Sequence, residues 1–345
     1  MQKQRRLGEM LVSAERGRIT KINADKVSRG EFFTTDESWL NKPVRKFLSE
    51  AFASSPVALD PFAGDGHLLH LVAAEFGVTI QGFDIASKHW PKNDSLKKIA
   101  NPAGAVIITN PPYLANHSAK RKGVDSLVAK YFASGFDNLY KLALFRCLAV
   151  ADYVVAIVPE TFLLSSFDKS RLQLVSVIES DLFSDTEAPA VVACFGPAAK
   201  QCQVFVNNKK IGELAALLAL RKFSKLKKHL IRFNVVDGRI GLRAVDSADC
   251  VTPIAFMLAK DFKYAAGKVS HSSRLMTYVE MPNLSDAQIA KVIRIANERL
   301  ASIRGESQDL VLAPFKGNDK NGKRRRRLDY ALAREILNFA ANQTV

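Results

Sequence analysis

Four consecutive residues, Asn110, Pro111, Pro112 and Tyr113, could hold a planar group that carries an amino nitrogen. The side-chain oxygen of Asn110 and the carbonyl of Pro111 can both accept hydrogen bonds from one amino group. The prolines fix the spacing of these acceptors, because the pyrrolidine ring restricts the backbone. The ring of Tyr113 offers a face on which a planar ring can stack. A rigid turn that only ends a strand is the alternative interpretation.

A glycine-rich segment, Asp60 to Gly66, lies upstream of Asn110 and follows a short apolar run. Glycine permits a sharp turn and a close approach of the backbone to a ligand, and a helix that begins after Gly66 would present unpaired N–H groups. The segment lacks the Gly-x-Gly-x-x-Gly spacing of dinucleotide sites, so alone it does not identify its ligand. Asp84 ends the next apolar run, where a carboxylate can accept hydrogen bonds from two ribose hydroxyls. Alternatively, Asp84 is an ordinary polar residue between a strand and a loop.

The elements that position these residues alternate between β-rich and helical runs from Pro56 to about Pro197. Such alternation predicts a mostly parallel sheet with helices on both faces, which binds ligands at the carboxyl ends of its strands. The predicted strands are residues 57–59, 79–85, 105–109, 153–158, 174–178 and 190–195, and the predicted helices are residues 66–76 and 125–149.

The glycine-rich segment, Asp84 and the Asn-Pro-Pro-Tyr motif together resemble the motifs of amino-group DNA methyltransferases that use S-adenosylmethionine (SAM). The resemblance covers residues 29 to 197, and Asp-Pro-Phe-Ala-Gly followed by Asn-Pro-Pro-Tyr is its most specific part. Asn110 implies methylation of adenine N6, since cytosine N4 enzymes more often carry Ser there. The short interval between the motifs, with the basic region last, resembles the gamma class. The implied fold is α/β and Rossmann-like, with a mostly parallel seven-stranded sheet and a smaller, basic, partly helical C-terminal region.

Further segments resemble the same family less closely. Gly30 to Thr34 is similar to the motif that covers the methionine end of SAM, although Thr35 stands where Pro is usual. Asp94 resembles the acid that receives the adenine amino group of SAM, and residues 158–163 resemble the segment after the fifth strand. The resemblance implies that SAM is contacted by Phe32, Thr34, Asp60, Phe62, Gly64, Gly66, Asp84, Ile85 and Asp94.

The reaction implied by the resemblance acts on an adenine that is flipped out of the duplex. Unstacking costs a few kcal/mol, which stacking on Tyr113 and Phe183 would offset at about 1–3 kcal/mol per base. For Phe183, an ordinary core position is the alternative. Asn110 and the Pro111 carbonyl would draw the N6 lone pair out of conjugation, and the methyl group would pass by direct in-line displacement. The sequence offers no obvious general base.

An excess of positive charge marks the chain, with 50 Lys and Arg against 34 Asp and Glu and a formal net charge of +16 over 345 residues. This excess favours a polyanion such as double-stranded DNA, through phosphate neutralisation and counterion release. A solvated basic face is the alternative. The cations predicted to contact the DNA backbone are Arg221, Lys222, Lys225, Lys227, Lys228, Lys323, Arg324, Arg325, Arg326 and Arg327.

The domain organisation follows from these features. A basic N-terminal arm is predicted at residues 1–30, a SAM-binding catalytic domain at 31–200, and a basic DNA-binding or target-recognition region at 201–345. The last region is expected to contain a helix at 284–304 with Ser285 as its N-cap, a basic loop at 319–327, and a last helix from Asp329.

Several function classes are disfavoured by composition. No run of about 18 apolar residues could span a bilayer, and the charged N-terminus differs from a signal peptide, so we expect a cytoplasmic protein. Cys147, Cys194, Cys202 and Cys250 show no paired spacing and are interpreted as buried thiols. A zinc site at Cys194 and Cys202 lacks completing ligands, so no metal is expected.

Other interpretations remain open. An RNA adenine N6-methyltransferase is one alternative. Some RNA methyltransferases and the glutamine methyltransferases of release factors also use Asn-Pro-Pro-Tyr, but their SAM loop typically reads Asp-Leu-Gly-x-Gly-x-Gly. A protein of this fold that binds nucleic acid without catalysis is a further alternative. A cognate restriction enzyme that acts on the same site, a phage setting and an orphan role are all compatible with the sequence.

Overall fold

The structure is a computed structural model that describes residues 37–345 except 103, 124, 178–188, 199, 224–225, 266, 268, 270–274 and 345. The chain divides into two compact units. Unit 1 comprises residues 1–159, 167–186 and 190–200, and unit 2 comprises residues 160–166, 187–189 and 201–345. The N-terminal arm, Phe32, Thr34, Phe183 and Lys225 lie outside the described residues, so the predictions made for them stay predictions.

Six strands form the framework of unit 1. They are β1 (Val57–Asp60), β2 (Thr79–Gly82), β3 (Val106–Thr109), β4 (Val154–Pro159), β5 (Leu172–Val177) and β6 (Ala190–Phe195). Strands β3 and β6 are buried along their whole length. Continuous runs of Val, Ile and Ala suit such strands, because both of their faces are covered.

The strand order is β2-β1-β3-β4-β6-β5. Strand β1 pairs in parallel with β2 and β3, and β3 pairs in parallel with β4. Strand β6 is antiparallel to both of its neighbours, β4 and β5. Five of these six strands therefore point the same way, and the prediction of a mostly parallel sheet is confirmed.

Unit 2 includes a hairpin of β7 (Gln203–Val206) and β8 (Lys209–Glu213), which pair antiparallel. This hairpin was not predicted, and the expected number of seven strands in the mostly parallel sheet stays a prediction. Asn207 and Asn208 both have positive φ, 48° and 64°. Two such residues make the tight turn that suits paired antiparallel strands, and asparagine tolerates this conformation.

The helices of unit 1 are α1 (Lys42–Ser54), α2 (His67–Phe76), α3 (Asn116–Lys122), α4 (Asp125–Phe132) and α5 (Leu139–Leu148). Helix α2 confirms the helix predicted after the glycine-rich segment. The single long helix predicted at 125–149 is wrong, because the chain turns at Gly135, where φ is +86°. Asn138 then caps α5 by accepting a hydrogen bond from the Tyr140 amide.

Unit 2 contains a four-stranded antiparallel sheet of order β11-β10-β12-β9 and a two-stranded hairpin, β13–β14. The strands are β9 (Arg232–Phe233), β10 (Ile240–Arg243), β11 (Ala255–Leu258), β12 (Met276–Glu280), β13 (Ala313–Asn318) and β14 (Arg324–Arg327). The helices are α6 (Leu214–Ala219), α7 (Asp286–Ser307) and α8 (Tyr330–Asn342).

The helices of unit 2 agree with the sequence-based expectations better than its strands do. Ser285 forms a capping box with Gln288 at the start of α7, and Asp329 caps α8, as expected. The basic loop predicted at residues 319–327 is partly wrong, because Arg324–Arg327 form β14. Cys147 and Cys194 are buried as expected, whereas Cys202 is only partly buried and Cys250 is exposed, contrary to the expectation of buried thiols.

Within the part of the chain that the structure describes, no helix combines the length and the apolar character needed to cross a membrane.

Candidate cofactor and catalytic site

Asp60 is the last residue of β1, and its side chain is only 2% exposed. Its Oδ1 atom accepts a hydrogen bond from the Thr109 hydroxyl at 2.7 Å and from the Phe62 amide at 2.9 Å. Thr109 ends β3, which lies beside β1 in the sheet. The carboxyl group therefore joins the start of the glycine-rich loop to the residue that immediately precedes Asn110.

Burial raises the pKa of Asp60 to about 7. The hydrogen bonds from Thr109 and Phe62 act in the opposite direction, and the charge of Asp84 adds to the rise. Desolvation disfavours the ionised carboxylate when the surroundings are apolar. Asp60 is thus a buried carboxyl group that links the ends of β1 and β3, and its pKa lies near neutral pH.

The glycine-rich loop folds against the end of β2. The Gly64 amide donates to Asp84 Oδ2 at 3.0 Å, and the Ala63 amide donates to the Phe83 carbonyl at 2.9 Å. Gly64 and Gly66 have φ values of +54° and +84°, which favour glycine. The loop and the end of β2 are therefore held together before any ligand is considered.

Asp84 is half-buried, and backbone amides surround its carboxylate. Its Oδ1 atom accepts hydrogen bonds from Ala86 and Ser87, both at 2.7 Å. A carboxylate offers about four lone-pair sites, so three backbone donors leave capacity for a hydroxyl. Ile85 follows with an exposed fraction of 50%, which places an apolar surface beside this acceptor.

Asp94 has a partner that the sequence analysis missed. The Tyr131 hydroxyl donates to Asp94 Oδ2 at 2.9 Å, while the amino groups of Lys97 and Lys130 lie 3.6 and 3.8 Å from the same oxygen. Burial raises the pKa of Tyr131 to about 12, and the bond to Asp94 adds to the rise. Tyr131 stands 37 residues from Asp94, and no motif in the sequence connects the two.

A hydrogen bond connects the first and last residues of the Asn-Pro-Pro-Tyr motif. The Tyr113 hydroxyl lies 2.6 Å from Asn110 Oδ1 and 2.8 Å from the Ile157 carbonyl, and its single proton can be donated to either acceptor. Its ring packs edge-on against Tyr140, with 6.2 Å between the ring centroids. Burial raises the pKa of Tyr113 well above its usual value, so the hydroxyl keeps its proton and remains a donor. Tyr113 thus orients the Asn110 amide.

The basic run at Lys323–Arg327 does not form one surface. Arg326 is 6% exposed and pairs with Glu160, which is 4% exposed. The Arg325 guanidinium lies over the Phe315 ring at 5.0 Å from its centroid. Arg324, Arg325 and Arg327 are partly exposed, and Lys323 is exposed. Arg326 therefore forms a buried ion pair inside unit 2, while its neighbours in the run are partly or fully exposed to solvent.

The other predicted cationic cluster is also partly engaged within unit 2. Arg221 pairs with Asp329 at 2.7 Å, and Lys228 pairs with Glu335 at 2.9 Å. Lys222 and Lys227 are exposed. Both pairs tie the segment after α6 to the start and middle of α8.

The structure thus brings Asp60, Gly64, Asp84 and Thr109 together through hydrogen bonds, with Asn110 next in the chain. Thr109 was missed, although its position directly before Asn110 and opposite the end of β1 could have indicated it. Groups of three or more His, Cys, Asp or Glu that could hold a metal ion do not occur among the described residues.

Comparisons with known proteins place few constraints on this chain. No family model and no curated protein match it. Among solved structures, it is similar to a type I restriction-modification system methyltransferase subunit from Streptococcus thermophilus, at 15% identity and a TM-score of 0.36 over 52% of this chain and 48% of that chain. It is similar to the type I restriction enzyme EcoKI M protein, at 10% identity and a TM-score of 0.32 over 50% of this chain and 49% of that chain.

A third similar structure concerns complex assembly and conformational transition of the type I restriction-modification system. The identity is 15% and the TM-score is 0.31, over 80% of this chain and 66% of that chain. The chain spans about half the length of the first two structures. At these identities and TM-scores, the likeness assigns no activity to the chain.

Proposed function

We propose that this protein transfers the methyl group of SAM to the N6 amino nitrogen of adenine in DNA. The observation that carries the proposal is the hydrogen bond from Thr109 to Asp60. It joins the glycine-rich loop after β1 to the Asn-Pro-Pro-Tyr motif after β3. A cofactor loop and a pair of amino-group acceptors at adjacent strand ends suit transfer between two bound molecules.

The residues around Asp84 fit SAM. The remaining lone pair of its carboxylate, on Oδ2, suits a ribose hydroxyl, and the exposed face of Ile85 suits the adenine ring. SAM supplies an electrophilic methyl group on a sulfonium. The residues that would hold it are Asp60, Phe62, Gly64, Gly66, Asp84, Ile85 and Asp94, together with Phe32 and Thr34 of the N-terminal motif.

Asn110 and Pro111 would act on the amino group of the flipped adenine. The Asn110 side-chain oxygen lies within hydrogen-bond distance of the Tyr113 hydroxyl, and it is the proposed acceptor for the amino group of the base. Together with the Pro111 carbonyl, this acceptor matches the positive charge that develops on nitrogen as the methyl group arrives. The proton then leaves to solvent, and the products are N6-methyladenine and S-adenosylhomocysteine.

DNA would be held by the exposed cations of unit 2. Lys222, Lys227 and Lys323 are exposed, and Arg324, Arg325 and Arg327 are partly exposed. Such side chains can contact phosphates, which fix the register of the duplex without reading its sequence. Lys225 and Phe183 keep their proposed roles in backbone contact and base stacking. The gamma class and a cognate restriction enzyme as partner are part of the same proposal.

The test is to incubate the purified protein with tritiated-methyl SAM and unmethylated duplex DNA, and to identify the labelled nucleoside. We expect label in N6-methyldeoxyadenosine, and we expect Asn110→Ala to lose at least about a hundredfold in rate. The same variant should still bind SAM, because Asn110 faces the base. In a parallel incubation with RNA, label in RNA but not in DNA would overturn the proposal. So would the absence of label in DNA while SAM still binds.

A further inference from the structure

The indole ring of Trp90 occupies space that two glycines leave open. A Cβ atom added to Gly82 would lie 2.4 Å from Trp90 Cδ2, and one added to Gly66 would lie 2.7 Å from Trp90 Cζ2. Both distances are shorter than real Cβ contacts allow. The ring of His70, on the first turn of α2, lies beside the indole at 6.1 Å between centroids. One side chain therefore packs against the glycine-rich loop, α2 and the end of β2.

Trp90 belongs to a loop that closes on Asp84. The Asp84 amide donates to the Pro91 carbonyl at 3.3 Å, and the Asn93 amide donates to the Asp84 carbonyl at 3.0 Å. The Asp84 carboxylate accepts from Ala86 and Ser87 within the same loop. Ile85 is also part of it. The packing of Trp90 therefore sets where Asp84 and Ile85 lie relative to Gly64 and Gly66.

The contact depends on the ring of Trp90, and its N–H group takes no part. The Trp90 Nε1 atom is buried and has no hydrogen-bond partner among the described residues. Burial of an unpaired N–H opposes this position, so the indole stays there because of its packing. A phenyl ring would keep much of that packing without the unpaired donor.

We infer that Trp90 is a positioning residue for the SAM site, inserted against Gly66 and Gly82 to hold the Asp84 loop and the glycine-rich loop in their binding arrangement. The inference rests on the proposed function for the identity of the ligand. It gives Gly82 a role through the space that it leaves for the indole, and it gives Gly66 a second role beside its backbone conformation.

The experiment measures the Kd for SAM by calorimetry for four variants of the full chain. They are Trp90→Ala, Trp90→Phe, Gly82→Ala and the double variant Gly82→Ala/Trp90→Ala. Gly82 does not have a positive φ, and the three atoms nearest to an alanine Cβ there all belong to the indole. Gly305→Ala in α7 is the matched control, since no atom lies within 4 Å of its added Cβ.

We expect Trp90→Ala and Gly82→Ala each to raise the Kd by about tenfold, since small displacements of binding groups are costly. Trp90→Phe and Gly305→Ala should remain within about threefold of the unchanged protein. In the double variant, Gly82→Ala should add almost nothing, because the ring that it meets is gone. The kcat at saturating SAM should change by less than about threefold, because Trp90 acts on binding.

Additive effects in the double variant, or a Kd unchanged in Trp90→Ala, would overturn the inference. Should Trp90→Ala fail to fold, a Gly82→Ala variant that binds SAM as tightly as the Gly305→Ala control would overturn it as well. A protein that binds SAM but does not methylate DNA defeats the proposed function alone, while the Kd series still decides the role of Trp90. A protein that does not bind SAM defeats both.

Discussion

Two regions of the molecule differ in how sequence distance relates to distance in space. They are the carboxyl ends of β1, β2 and β3, and the hairpin β13–β14. At the strand ends, residues distant in the sequence converge, since Asp60 bonds to Thr109 and Gly64 bonds to Asp84. In the hairpin, adjacent residues diverge. Arg326 is buried against Glu160, while Arg325 lies over Phe315.

The difference comes from the geometry of the two regions. A motif in a loop at the end of a strand keeps its residues on one side, where they can act together. Side chains along a strand alternate between two faces, so a run of charges is divided between them. A basic run in the sequence therefore does not show which of its members could contact a polyanion.

Arg326→Ala is expected to have the largest effect, and it tests whether the basic run is divided between a buried and an exposed face. We expect the free energy of unfolding of unit 2 to fall by about 3–5 kcal/mol, because Glu160 would remain as a buried charge without its partner. Urea denaturation followed by circular dichroism measures the change. The control is Glu160→Leu/Arg326→Met, which removes both charges and should recover much of the loss. A stable Arg326→Ala variant with weakened DNA binding would show that the run acts as one surface.

Asp60→Asn tests the contribution of the buried Asp60 carboxyl group to stability. The pKa of Asp60 is about 7 in the folded chain and lies near 3.8 when unfolded, so the unfolded chain loses its proton first as pH rises. Relative to Asp60→Asn, the unchanged protein should lose stability between about pH 4 and pH 7, by about 4 kcal/mol at most. Above pH 7 the difference should be level. Thermal or urea unfolding across this range measures it, and a difference that does not vary with pH would contradict the buried carboxyl.

Arg325→Ala/Arg327→Ala removes the two cations that flank Arg326. We expect DNA to bind more weakly, with the slope of log K against log salt reduced by about 0.9 for each lost phosphate contact. Fluorescence anisotropy over a salt series measures the slope. Lys46→Ala/Lys291→Ala removes the same charge from exposed helix positions and should leave the slope almost unchanged. Equal effects of the two variants would mean that only net charge matters.

Tyr113→Phe produces the smallest expected effect. It removes the hydroxyl that orients Asn110 while the ring keeps its stacking face. The loss of one such hydrogen bond is worth about 0.5–1.5 kcal/mol, so we expect kcat to fall roughly two- to tenfold. Single-turnover transfer of tritiated methyl measures it. Tyr113→Ala should also weaken DNA binding, and a Tyr113→Phe variant as inactive as Asn110→Ala would show that the hydroxyl does more than orient the amide.

The sequence predicted the parallel strands and the helix after the glycine-rich loop because both depend on local pattern. The apolar run before Thr109 and the glycines before His67 each specify their own element. The break at Gly135 was missed because apolar spacing continues on both sides of it. The strands of unit 2 were missed because many are only two to four residues long, which is too short for alternation to be detected.

The partners of the site residues were less predictable than the residues themselves. Asp60, Asp84 and Asn110 stand in recognisable motifs, whereas Thr109, Tyr131 and Trp90 act through contacts that only the folded chain creates. Nothing in the sequence near Asp94 points to Tyr131, and the role of Trp90 depends on the absence of side chains at Gly66 and Gly82. The burial of Arg326 likewise depends on Glu160, which stands 166 residues away.

The bond from Tyr113 to the Ile157 carbonyl has a consequence for how the protein is made. It spans 44 residues and requires β4, and β4 takes its other sheet neighbour from β6, which ends at Phe195. Long-range pairings of this kind form late, because the loops between them must close first. During synthesis, residues 110–113 should therefore lack their folded arrangement until residue 195 has left the ribosome. A nascent chain that ends between residues 157 and 195 would contain the whole Asn-Pro-Pro-Tyr motif without the sheet that positions it.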